Sequence, residues 1–222
     1  MRVIIPAAGE GRRWGMHGGI RKHQATVRGV PLLARLIGQF NADGVRPLVL
    51  THPDHPYTYD GADYRPVEPD HRSSIDKVLS SRPWWATDDD TLIMFGDVYL
   101  SKAGFAAAVQ PRTDWAVFGR ISRSRYSRKG RSFFGMRFAA HEHDFVATVG
   151  EQVAAADTGH SPPPPRRGRL AIWYQVATGQ PVTRRLVDAG HLVVIDDESD
   201  DVDRPRDLML LRRAVREVRR GR

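Results

Sequence analysis

Arg2-Val3-Ile4-Ile5-Pro6-Ala7-Ala8-Gly9-Glu10-Gly11-Arg12-Arg13-Trp14-Gly15 opens the chain, and its reading decides the fold. Residues 2–6 are apolar without alternation, the pattern of a strand buried on both faces of a parallel sheet. They run into a loop of small residues holding two arginines, Arg12 and Arg13. Arg21-Lys22 follows, and then a predicted helix over 31–40 with Leu32, Leu33, Leu36, Ile37 and Phe40 on one face. A strand that enters a glycine loop can aim backbone N–H groups at one point, because without a Cβ the chain comes close to a ligand. Cationic side chains beside that point make it a receptor for polyphosphate. The same letters would also serve an ordinary strand-turn-helix with solvated arginines.

Two well-known phosphate loops do not fit. The dinucleotide fingerprint needs a third glycine where this chain has Trp14, and no lysine has the P-loop spacing. What fits is Ala-Ala-Gly-x-Gly-x-Arg-x-Gly, then a lysine shortly before Gly29-Val30-Pro31-Leu32-Leu33. This stretch, 3–40, resembles the opening motif of the nucleotidyltransferase superfamily, which includes sugar-phosphate nucleotidylyltransferases, cytidylyltransferases and molybdopterin guanylyltransferase-like proteins. The resemblance implies a three-layer α/β/α sandwich with a Rossmann-like, mostly parallel sheet. One departure is Arg21, where the family usually has proline before the lysine, within a glycine-rich loop over 16–20.

Further along, Arg46 to Thr51 reads as a second strand, and 52–70 as loop, with His52 and His55 read as exposed loop residues. Ser73 is a predicted N-cap with Asp76 three residues on. In the resembling family the corresponding small-residue turn touches base and ribose, which implicates Ser73 and Ser74; a plain helix cap explains the same letters. Thr91 to Phe95 is an apolar strand ending in Gly96-Asp97. A carboxylate at the C-terminal end of a buried strand sits where open α/β sheets bind ligands, although Asp97 could equally be a turn residue. Phe95-Gly96-Asp97-Val98-Tyr99-Leu100 is similar to the second motif of sugar nucleotidylyltransferases, where the aspartate binds the metal. Tyr99 differs from the Asp-x-Asp of related glycosyltransferases and favours nucleotidyl over glycosyl transfer.

Downstream, a helix is predicted at 102–109, strands at 115–121, 133–138 and 145–149, and a helix at 170–177. A helix at 181–189 and a strand at 191–196 follow. His141-Glu142-His143 has spacing that could chelate a metal and is read as a turn. Four consecutive prolines in 160–168 exclude helix or central strand and suggest a lid or an oligomer contact such as a homodimer. Asp200-Asp201-Val202-Asp203-Arg204-Pro205-Arg206-Asp207-Leu208 resembles the segment that closes many nucleotidyltransferase domains. There the second aspartate is a metal ligand, which implicates Asp203 and, secondarily, Asp201. So many acids repel one another, and a bound cation would relieve that; the alternative is a solvated turn with Pro205 and Asp203 beginning the last helix.

The 222 residues are enough for one full core, with a basic insert at 120–140 and the proline-rich loop as its appendages. The absence of cysteine excludes disulfides and cysteine–zinc sites. No apolar run is long enough to span a membrane, and a strand from residue 2 leaves no room for a signal peptide, so a cytoplasmic protein is expected. The formal charge of +8 is split between 112–137 and 204–222, with the remainder net acidic. A charge in two blocks suits two anionic partners or two solvated faces better than one nucleic-acid stripe.

Together these features predict a Mg2+-dependent enzyme joining a nucleoside triphosphate to a phosphorylated small-molecule acceptor. By resemblance, Ala7, Ala8, Gly9, Glu10, Gly11, Arg13, Lys22, Ser73, Ser74 and Gly96 would bind the nucleotide. Lys22 and Arg13 would be catalytic, and Asp97 and Asp203 would hold the metal. The basic run at 122–132 would be a clamp for the acceptor or a solvated hairpin. Two other classes remain in view: a glycosyltransferase using a nucleotide-sugar, and a basic nucleic-acid adaptor.

Overall fold

The computed structural model describes residues 1–9, 11, 13–54, 58–67, 73–110, 113–124, 130–155, 169–179 and 190–220. The helix expected at 181–189, the proline-rich loop, His55 and Glu10 lie outside the described residues.

The opening strand, β1 (Arg2–Pro6), is buried from Val3 onward, as an unbroken apolar run requires when both sheet faces are covered. A short hairpin follows, β2 (Thr26–Val27) and β3 (Val30–Pro31), and then α1 (Leu32–Ala42), in which Leu32, Leu33, Leu36, Ile37 and Phe40 are all buried. Next come β4 (Leu48–Thr51), β5 (Asp63–Pro66), α2 (Ser74–Ser80), β6 (Thr91–Met94), β7 (Val98–Tyr99) and α3 (Lys102–Val109). The chain then forms β8 (Trp115–Arg120), β9 (Ser132–Phe138), α4 (His143–Ala155), α5 (Arg169–Thr178), β10 (Leu192–Val194), β11 (Asp200–Asp201) and α6 (Pro205–Arg220).

The seven-stranded sheet runs β10-β8-β9-β6-β1-β4-β5. Neighbours are parallel except at β9, which pairs antiparallel with both β6 and β8. From β1 the chain steps outward through β4 to β5, then returns through α2 to β6 on the other side of β1. Right-handed crossovers in opposite directions put α1 and α2 on opposite faces, which gives the three layers. In one layer Phe40 of α1 meets Phe105 of α3 edge to face at 5.0 Å. In the other, α2, α4 and α5 pack on one another. The reversal between β1 and β6 opens a crevice at their C-terminal ends, where such sheets bind ligands.

Several elements depart from the sequence reading. Residues 145–149 are helical, not a strand: Val146, Val149, Gly150 and Val153 are buried at helical spacing, and β9 already has both its neighbours. The segment 63–66 is an edge strand, hidden from pattern analysis because three of its four side chains are exposed and the fourth, Tyr64, is only half-buried. His52 is buried rather than exposed, and its Nδ1 accepts from Asp54 N at 3.1 Å. Among the described residues no helix is long and apolar enough to cross a membrane.

A second, smaller core lies outside the sheet. Trp14, Ala25, Val27 and Leu32 pack there against Tyr99, Val202 and the Leu208, Leu211 and Val215 face of α6. It holds the last helix against the glycine-rich loop, with Arg212 Nε donating to Thr26 O at 2.7 Å. This packing carries the start of α6 to the mouth of the β1/β6 crevice.

Candidate active site

The crevice is built on small residues. Ala7 and Ala8 are buried at the end of β1, and Gly96 N donates to Pro6 O at 3.3 Å, joining the two strand ends. A Cβ on Gly96 would come within 3.2–3.4 Å of Ile5, Ala7 and the His23 ring, so the backbone packs tightly there only because the residue is glycine.

Asp97 follows Gly96 and is buried. Its Oδ2 accepts from Lys22 Nζ, itself buried in the short 3-10 turn Lys22–Gln24. Lys22 Nζ also lies 3.9 Å from Asp203 Oδ1, and Arg13 Nη1 lies 2.8 Å from Asp203 Oδ2. Asp203 is delivered by a two-strand pairing: Asp201 is opposite Val98, and Val202 N donates to Asp97 O at 2.9 Å. The first turn of α6 is capped by Asp207, whose Oδ2 accepts from Arg204 N at 2.9 Å and Asp203 N at 3.1 Å. Asp207 thus helps fix the start of α6, and the Asp203 side chain reaches Arg13 and Lys22.

The acidic run also differs from its sequence reading. Its repulsion is relieved by the protein itself. Asp200 is bonded by Arg120 and Ser124, Asp201 Oδ1 accepts from Ser132 at 2.6 Å, and Ser101 and Ser122 donate to Asp197 and Asp196. Asp201 is thus turned to β9, away from Asp97.

Electrostatics follow from this packing. Burial alone would raise the Asp97 carboxyl, but Lys22 and Lys77 outweigh it and hold the group well below the usual carboxylate range. Burial alone would likewise depress Lys22, and the carboxylates of Asp97 and Asp203 more than compensate, leaving its ammonium above the ordinary lysine value. Burial, reinforced by Lys22, pushes His23 down to about 3, so its imidazole is neutral at physiological pH.

The structure thus gathers Gly9, Lys22, Gly96, Asp97, Arg13 and Asp203 at one mouth. Gly11 takes a left-handed conformation (φ 64°) where the loop leaves that mouth. Ser73 uses its hydroxyl to accept from Asp76 N at 3.2 Å as the cap of α2, with Ser74 the first residue of the helix. The α2 side chain that reaches the Gly9 turn is Lys77, in the sequence one polar letter between Ile75 and Val78. Arg21, in the sequence only a departure from the family's proline, donates from Nη1 to Gly9 O at 3.3 Å.

Asp97 and Asp203 both approach Lys22 Nζ, and their carboxylate oxygens are hard donors of the type that Mg2+ would take. A different trio, Asp114, His141 and Glu142, also brings its ligand atoms within 4.8 Å of one another. It sits at the other end of the strands, before β8 and after the antiparallel β9, whereas the Gly9 turn follows the C-terminal end of β1. A cavity between the 15–20 segment and α6, lined by His17, Pro205, Arg206, Met209, Arg212 and Arg216 among others, holds none of the sequence-predicted site residues.

The fold is shared, over nearly the whole chain, with solved structures of nucleotidyltransferases. Among solved structures, the chain is similar to the CTP:phosphocholine cytidylyltransferase of Streptococcus pneumoniae, at TM-score 0.61 and 12% identity over 96% of this chain and 98% of that one. It is similar to the 2-C-methyl-D-erythritol 4-phosphate cytidylyltransferase of Thermus thermophilus, at TM-score 0.58 and 16% identity over 97% and 98%. A putative glucose-1-phosphate thymidylyltransferase from Bacillus anthracis matches at TM-score 0.57 and 12% identity over 98% and 96%. No protein-family model and no curated protein sequence matches the chain. The likeness is one of fold, carried over nearly the whole length of each chain.

Proposed function

We propose that the chain is a Mg2+-dependent nucleotidyltransferase, one domain over 1–222, that joins a nucleoside triphosphate to a phosphorylated small molecule and releases pyrophosphate. The observation that carries this reading is the meeting of Lys22, Asp97, Asp203 and Arg13, from three distant stretches of sequence, beside the Gly9 turn. The structural neighbours support the same class: two are cytidylyltransferases and one a putative thymidylyltransferase, and their names carry phosphocholine, a methylerythritol phosphate and glucose 1-phosphate.

Such a transfer asks little covalent chemistry of a protein. An oxygen of the acceptor phosphate attacks the α-phosphorus in line, and the bond to the β-phosphate oxygen breaks as pyrophosphate leaves. Charge builds on the bridging oxygen, so cations must already be in position. In this reading the backbone of Ala7, Ala8, Gly9, Glu10 and Gly11 and the Arg13 guanidinium hold the β- and γ-phosphates. Lys22 gives its ammonium to the α-phosphate or the acceptor phosphate, Gly96 lets the nucleotide pass close, and the turn at Ser73 and Ser74 borders base and ribose. Asp97 and Asp203 would hold Mg2+, which when bound draws charge from the phosphate oxygens and orients them.

The test is direct. Each of the common nucleoside triphosphates with Mg2+ should be screened by thermal shift, since a ligand bound only to the folded state raises the melting temperature. The stabilising nucleotide is then offered phosphocholine, a polyol phosphate and glucose 1-phosphate, with pyrophosphate as the readout. Stabilisation by one triphosphate and pyrophosphate release with one acceptor class are expected. No stabilisation by any triphosphate would end this reading.

A further inference from the structure

The Gly9 turn is flanked by two cations that the proposed roles above leave unused. Lys77 reaches it from α2: a Cβ built on Gly9 would lie 3.1 Å from Lys77 Nζ and 3.4 Å from its Cε. A side chain at position 9 would therefore crowd the ammonium and make it shift by a few tenths of an ångström. The ammonium makes no hydrogen bond or close ion pair with any described residue and lies over the Phe95 ring, 5.8 Å from Nζ to the centroid. Arg21 approaches from the loop side, bonding Gly9 O through Nη1, while its Nε is buried without a partner.

Charge counting gives these positions meaning. Arg13, Arg21, Lys22 and Lys77 gather around two carboxylates, Asp97 and Asp203, and those two are already engaged by Lys22 and Arg13. Burial, reinforced by the Lys22 charge and only partly offset by Asp97 and Asp203, lowers the Lys77 ammonium to about 8. A partly buried cation with no hydrogen-bonded anion is held at a cost that a bound anion would relieve. Helix α2 nevertheless holds one against the crevice, on a first turn fixed by a reciprocal cap between Ser73 and Asp76.

We infer that Lys77, with Arg21 opposite it, binds an anionic phosphate oxygen of the nucleotide directly above Gly9. Lys77 is in this view a phosphate-binding residue and not a structural one. The two roles predict opposite responses to its removal: a crowded cation without a close ion pair weakens the free protein, whereas a structural ion pair strengthens it.

This inference rests on the nucleotidyltransferase reading, and the experiment separates the two. Wild type, Lys77→Met and Lys77→Arg are titrated calorimetrically, without metal, with the triphosphate that stabilises wild type best and with the matching nucleoside. Lys77→Met is expected to weaken triphosphate binding by about tenfold to a hundredfold, the usual weight of one charge-assisted hydrogen bond. Nucleoside binding should be unchanged, and Lys77→Arg should restore most of the triphosphate affinity. The free Lys77→Met protein should melt no lower than wild type. Equal triphosphate affinity in wild type and Lys77→Met would overturn the inference and leave the enzymatic reading standing. A Lys77→Met chain that melts far lower or fails to fold would also overturn it, by showing a structural lysine. If no triphosphate binds wild type, the enzymatic reading falls and this inference with it.

Discussion

Two clusters of charge, one buried and one open, lie within a few residues of one another in sequence and are built on opposite principles. Around Asp200 the protein satisfies its own charge: Arg120 Nη2 donates to Oδ1 at 2.7 Å, Ser124 Oγ to Oδ2 at 2.7 Å, and Asp201 N to Oδ1 at 2.9 Å. Arg120 also bonds Ser199 O at 2.8 Å, leaving its Nε as the unpartnered donor. Three residues after Asp200, the cluster at Asp203 has, among the described residues, more cations than acids, opens at the sheet's reversal point, and leaves the Lys77 ammonium without a hydrogen bond or close ion pair to any described residue. Burial holds the Asp200 carboxyl above its ordinary value, with Asp201 adding to it and Arg120 opposing, while Asp97 is held well below its own. The closed cluster fastens the β8–β9 hairpin to β11. The open one, on the proposed function, would receive the negative charge of the triphosphate.

That contrast is easiest to break at its strongest point. Arg120→Met removes one partner of a fully buried pair and should cost about 3–5 kcal/mol of stability, because Asp200 is left uncompensated. Urea unfolding with circular dichroism measures this, and the folded fraction should keep the wild-type KM for triphosphate. A large KM change at normal stability would mean that the closed cluster belongs to the site. Asp97→Asn should do the reverse, lowering turnover at least ~100-fold by the usual size of such electrostatic contributions. Metal-free triphosphate binding should survive in that variant, because Gly9, Arg13, Lys22 and Lys77 remain. Near-normal pyrophosphate release by Asp97→Asn would remove the metal site from the crevice.

Much of this was legible in the letters. An unbroken apolar run into Ala7-Ala8-Gly9 announces a central strand and a close-approach turn, and Gly96-Asp97 after Met94 puts a carboxylate at the neighbouring strand end. The segment 145–149 misled because Phe145, Val146 and Val149 suit a strand as well as a helix over so short a window. Lys77 and Arg21 were invisible as site residues for a different reason. Their importance comes from facing Gly9 across the crevice, a relation between elements that no local pattern encodes. The Asp200 cluster was misread because charge repulsion within a run says nothing about Arg120, eighty residues away, which answers it.

The open cluster should also be the more acid-sensitive of the two. His23, buried under Gly96, takes up a proton only near 3, whereas an unfolded histidine does so near 6.5. Between these values the unfolded chain binds more protons, so stability falls as the pH drops. From pH 7 to 5 the loss from this one residue should be about 2 kcal/mol. Chemical denaturation at several pH values tests it: His23→Gln should flatten the dependence over that range. An unchanged slope would mean that other groups carry the acid response.

The smallest effect separates the clusters most finely. Ser73→Ala removes the acceptor for Asp76 N at the start of α2 and should cost about 1 kcal/mol, the usual value of an N-cap. Ser124→Ala removes one of the hydrogen bonds to Asp200, and its cost should be similar, about 1–2 kcal/mol. Their kinetic consequences should differ. Loosening α2 frees the helix that carries Lys77 to Gly9, so Ser73→Ala should raise the KM for triphosphate a few-fold. Ser124→Ala, at matched stability, should leave KM where it was. Paired denaturation curves and initial rates on the two variants decide it, and equal KM shifts in both would erase the distinction between a cluster that holds the fold and one that holds a ligand.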